Sequence, residues 1–113
     1  MASLQDFVGK ISKLRGVRGY VVLRRDGRIL SQSVRIAERL SAMVVLSGLS
    51  SESIVTAAGF PRFRCLVLAR GKKEKLLVFP VQQFFLLVIE GPDVYTPDLL
   101  KDIEGIIQSS IPF

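Results

Sequence analysis

The side chains able to do chemistry in this sequence are few, and their absences decide as much as their presence. There is no histidine and a single cysteine, Cys65. A serine–histidine triad needs an imidazole to take the hydroxyl proton, a cysteine nucleophile needs a base beside it, and a zinc centre needs several nitrogen or sulfur ligands. All three are excluded. Cys65 sits inside the run Phe63-Arg64-Cys65-Leu66-Val67-Leu68, which reads as a buried core thiol, and one cysteine leaves no internal disulfide. Asp93, Asp98, Asp102 and Glu104 gather at the entrance and polar face of the last helical stretch, where carboxylates complement the helix dipole. No G-x-x-x-x-G-K-[ST] and no G-x-G-x-x-G occurs, so no backbone cradle for a nucleotide phosphate is expected. The sequence implies no catalytic residue, no cofactor, no metal and no small-molecule substrate.

Arginine could still act on another protein, as a fixed positive charge rather than as a nucleophile or base. Arg24, Arg25 and Arg28 surround Asp26-Gly27, and Arg39 precedes the most apolar helix. An arginine finger must stand on an exposed tip that reaches another protein's nucleotide pocket. The Asp26 hairpin is expected at the edge of a sheet, away from that helix, and Arg39 is as well explained by solubility. The charge points the same way, towards binding. The first forty residues carry nine Lys/Arg against three Asp/Glu and the rest carry seven of each, so the whole excess of +6 lies in the first forty. Such an end meets an acidic protein, a phosphate or an anionic lipid surface. Gly16-Val17-Arg18-Gly19 matches the GXXG loop of a KH domain, but it joins a helix to a strand, and Arg18-Gly19-Tyr20 lacks the second aromatic of an RNA-recognition strand.

The elements that would position these residues follow from periodicity. Ser3 caps a helix with Asp6 three residues on, and Leu4, Phe7, Val8, Ile11 and Leu14 share its apolar face. Val17 to Arg25 is a strand, Asp26-Gly27 a hairpin turn of either two residues or a type I turn with a glycine bulge, and Arg28 to Ser33 a polar edge strand. A long helix from Ile36 to Ala58 ends at Gly59-Phe60-Pro61. A three-stranded meander follows: Phe63 to Arg70, a Gly71-Lys72-Lys73-Glu74 turn, Lys75 to Phe79, a Pro80 to Gln83 connection, and Phe84 to Glu90. Both faces of its outer two strands are apolar, as in a sheet covered on both sides. Thr96 caps the last helix, Pro97 is its first residue, and Leu99, Leu100, Ile103, Ile106 and Ile107 form its buried face. The order is α-β-β-α-β-β-β-α in one domain over residues 1–113. The longest apolar runs fall short of a membrane span and the start is unlike a signal peptide, so a soluble cytoplasmic protein is expected.

The long helix organises the rest. On a helical wheel Ile36, Ala37, Leu40, Met43, Val44, Ser47, Ser51, Ile54, Val55 and Ala58 form a continuous arc expected to face the core. Ala42, Val45, Leu46 and Leu49 form a second apolar patch opposite, flanked by Glu38, Arg39, Glu52, Ser53 and Thr56. A helix that is apolar all round must be covered twice, and a second copy crossing at its midpoint brings one patch against itself.

The stretch Leu14-Arg15-Gly16-Val17-Arg18-Gly19-Tyr20-Val21-Val22-Leu23, followed by Arg24-Arg25-Asp26-Gly27-Arg28-Ile29-Leu30-Ser31-Gln32-Ser33, resembles the opening of a Roadblock-type dynein light chain domain, and the later elements come in the same order. The resemblance, to a bacterial or archaeal member similar to mutual gliding protein B, covers nearly the whole chain. It implies an α+β sandwich with a profilin-like or longin-like antiparallel sheet in order 2-1-5-4-3, the long helix on one face and the terminal helices on the other. It also implies a homodimer or heterodimer in which long helices pair and third strands meet, and a non-enzymatic adaptor or regulator of a small Ras-like GTPase. Carried onto this sequence, the dimer surface comprises Ala42, Val45, Leu46, Leu49 and Ser53 on the helix with Phe63, Arg64, Cys65, Leu66, Val67 and Leu68 on the strand. Glu38, Arg39, Glu52 and Thr56 are the candidate GTPase contacts. The rival reading is a basic module that binds nucleic acid or an anionic membrane surface through residues 1–40, and a steep salt dependence would mark it.

Overall fold

The computed structural model describes residues 3–110 except 37, 62, 71–73 and 93, with the backbone alone for Arg70 and Ser110. Ala37, the Gly71-Lys72-Lys73 turn and Asp93 therefore lie outside the described residues. The elements are α1 (Leu4–Ser12), β1 (Val17–Arg24), β2 (Ile29–Gln32), α2 (Glu38–Ala57), β3 (Leu66–Arg70), β4 (Glu74–Val81), β5 (Phe84–Glu90) and α3 (Thr96–Ser110). They come in the order the sequence implied. The strands form one antiparallel sheet of order β2-β1-β5-β4-β3. This is the profilin-like and longin-like arrangement expected from the resemblance.

Local chemistry sets the boundaries. The Ser3 hydroxyl accepts from the Asp6 N–H at 3.1 Å and the Asp6 carboxylate accepts from the Ser3 N–H at 3.4 Å, a complete capping box. In the first hairpin the Gly27 N–H donates to the Arg24 carbonyl at 2.9 Å and the Arg24 N–H to the Arg28 carbonyl at 2.8 Å, with Gly27 at φ 94°. That is a type I turn closed by a left-handed glycine, the longer of the two forms the sequence allowed. At the end of α2 the Phe60 N–H reaches the Val55 carbonyl at 2.8 Å and the Gly59 N–H the Thr56 carbonyl at 3.0 Å, a Schellman cap.

Three expectations are corrected here. Pro80 and Val81 belong to β4, and the connection shrinks to Gln82–Gln83, closed by the Val81↔Phe84 pair. Proline is tolerated there because β3 stops opposite Val78, so β4 has an open side beyond it. Phe63, Arg64 and Cys65 precede β3 rather than forming part of it. Thr96 is the first residue of α3, not its cap, because its hydroxyl donates to Glu90 Oε2 at 3.0 Å and accepts from Lys75 Nζ at 2.9 Å.

Period-two alternation divides the core into two layers. Val22, Leu77, Phe79, Leu86 and Val88 point to one side, against Phe7, Val8 and Ile11 of α1 and Leu99 and Ile103 of α3. Val21, Leu23, Val78, Phe85 and Leu87 point to the other, against Val44 and Val45 of α2. The central strands are covered twice, as expected. β3 is not: at this edge of the sheet Val67 and Leu68 remain 43% and 38% exposed.

Candidate functional site

Exposed large apolar side chains gather on the outward side of α2. Inward it presents Ser41, Val44, Val45 and Gly48, all buried, with Leu40, Leu49 and Val55 packed at the margins. Outward it presents Arg39, Ala42, Met43, Leu46, Ser50, Ser53, Ile54 and Ala57, a row at helical spacing. Met43, Leu46 and Ile54 are 53%, 63% and 67% exposed, and Phe60, just past the helix, is 63% exposed. A second apolar face on α2 is therefore real, but rotated from the one read on the wheel. Val45 and Leu49, expected on the outward patch, turn to the core, while Met43, Ile54 and Ala58, expected in the core, are exposed.

The physical cause of that rotation is Gly48. A Cβ on Gly48 would lie 2.5 Å from Cε1 of Phe85 and 2.7 Å from its Cζ, so the ring of β5 occupies the space a side chain would need. The helix must present its glycine to the sheet. A wheel weighted by hydrophobicity gives glycine no direction, so the phase was not recoverable from it. The serines near Gly48 do not interrupt α2, since Ser51 and Ser53 donate back to the carbonyls of Ser47 and Leu49 at 2.9 and 3.3 Å.

The same ring carries a clamp. The Arg25 guanidinium lies over Phe85, 5.2 Å from its centroid, and pairs with Glu52 on α2. Arg25 was expected at a hairpin tip away from the helix; it is instead the tie between the two. Glu52, read as a GTPase contact, is committed to that pair, whereas Glu38, Arg39 and Thr56 are exposed.

The strand half of the proposed interface is likewise divided. Phe63 is buried on the α2 side, Arg64 reaches α3 and pairs with Glu104, and Cys65 packs with the opposite layer. None of these three forms an exposed edge. Leu66 packs with the α2 layer, which leaves Val67 and Leu68 as the exposed large apolar side chains of an edge whose outer side no other strand among the described residues covers. Burial pushes the Cys65 thiol up to about 12, so it is held protonated near neutral pH.

Among the described residues no group of three or more His, Cys, Asp and Glu side chains is placed to hold a metal ion. Of the acidic cluster, Asp98 lies in the first turn of α3 and Glu104 is paired with Arg64. A buried carboxylate that the sequence did not reveal is Glu90, 2% exposed and tied through Thr96 to Lys75. Glu90 ends the apolar run of β5, and Thr96, the first residue of α3, bonds to it. By length and composition α2 is apolar enough to cross a membrane, although no single unbroken apolar run is. Its inward face is occupied by the sheet.

No family model and no curated protein matches the sequence. Solved structures do match the fold. A Roadblock/LC7 domain from Streptomyces avermitilis superposes with a TM-score of 0.75 at 16% identity, covering 90% of this chain and 88% of that one. MglB from Myxococcus xanthus gives 0.71 at 12% identity, covering 90% and 83%. Profilin IA from Acanthamoeba castellanii gives 0.69 at 12% identity, covering 95% of each. The property these chains share with the present one is the layered fold.

Proposed function

We propose that this chain, built on the fold of Roadblock/LC7 domains, is a non-enzymatic, single-domain cytoplasmic adaptor that pairs with a second copy of itself and, as that pair, binds a small Ras-like GTPase. The observation that carries the reading is the uncovered row on α2, with Met43, Leu46 and Ile54 more than half exposed along the longest helix among the described residues. A two-fold crossing there would set the row that holds Ala42, Leu46 and Ser53 against the same row of the second copy. The open edge of β3 adds backbone donors and acceptors beside Val67 and Leu68.

The GTPase rests on the sequence resemblance to Roadblock-type domains together with the structural likeness to MglB. Within that reading the dimer repositions the GTPase's own groups and supplies no arginine finger. Arg25 is held by Glu52 and Phe85, and Arg24 lies 3.5 Å from Asp26. Light scattering across a concentration series tests the dimer. Fluorescent-nucleotide GTPases titrated with the protein test the partner, and single-turnover hydrolysis tests the mechanism. Substituting Arg24, Arg28 or Arg39 by Ala is expected to cost far less than the roughly 10³-fold of a lost finger. A monomer at about 100 µM, corresponding to a self-affinity too weak for a stable pair, overturns the first part.

A further inference from the structure

We draw no further inference here: the strongest candidate, the hollow of about 400 Å³ between the β4–β5 turn and the second half of α3, lined by Gln82 and the Arg64–Glu104 pair, carries nothing because nothing in the structure shows what covers it.

Discussion

Replacing Gly48 by Ala sets two effects of opposite sign against each other, and the structure decides between them. In a helix interior the change is worth about 1 kcal/mol in favour of alanine, from propensity alone. The new Cβ, however, would stand 2.5, 2.7 and 2.9 Å from three carbons of the Phe85 ring. That ring cannot yield cheaply. Phe85 is wholly buried, is paired in register with Leu23 and Pro80 of the neighbouring strands, and lies beneath the Arg25 guanidinium. Either α2 rises from the sheet or the ring leaves its rotamer, and overpacking of this kind costs about 1–3 kcal/mol. The net expectation is a loss of about 1 kcal/mol, or a fall of some 4 °C in Tm for a domain of this size. Urea unfolding followed by circular dichroism measures it. The sharper reading is a double-mutant cycle with Phe85→Leu: without the ring, Gly48→Ala should become stabilising by about 0.5–1 kcal/mol, a reversal of sign that additive sites cannot give. Greater stability of Gly48→Ala in the wild-type background, or strict additivity with Phe85→Leu, would refute the notch as the element that fixes the phase of α2.

Other changes separate surface from core. Leu46 is 63% exposed, so Leu46→Glu should leave monomer stability within about 0.5 kcal/mol, yet weaken self-association at least about a hundredfold by placing a charge at the crossing point; sedimentation showing an unchanged dimer would remove this face from the interface. Ser41→Ala removes a buried hydroxyl that has no hydrogen-bond partner among the described residues and improves helix propensity, so unfolding should show a gain of about 1 kcal/mol, and a loss would mean the hydroxyl is satisfied. Cys65, with its thiol raised from 9.0 to about 12, should be alkylated by iodoacetamide about a thousandfold more slowly than a free thiol at pH 8. Because the unfolded thiol ionises first, its contribution to stability is complete below pH 9 and is lost as the pH rises towards about 12, a slope that Cys65→Ala should flatten in unfolding curves. Gln82 holds φ 54°, a conformation strained for a residue with a side chain, so Gln82→Gly should be neutral to stabilising by about 1 kcal/mol despite the entropy glycine brings to the unfolded chain.

The order of elements was legible in the sequence because each rests on a local rule. The Ser3 and Asp6 capping box, the Asp26-Gly27 turn and the glycine that closes α2 act within a few residues, and the short apolar run of β5 marks a strand covered on both faces. Charge and the missing histidine excluded whole chemistries for the same reason: composition needs no geometry. The existence of a second apolar face on α2 was also legible, because too many of its residues are apolar for one side to hide. Which residues form that face was not. Rotation of the helix depends on Gly48 meeting Phe85, thirty-seven positions later in the chain. That contact moved Val45 and Leu49 inward and Met43 and Ile54 outward. The tie from Arg25 to Glu52 and the reach of Lys75 to Thr96, which holds Glu90, likewise join residues distant in sequence. Periodicity states how many faces a helix has, but the shape of what it packs against decides which way each one turns.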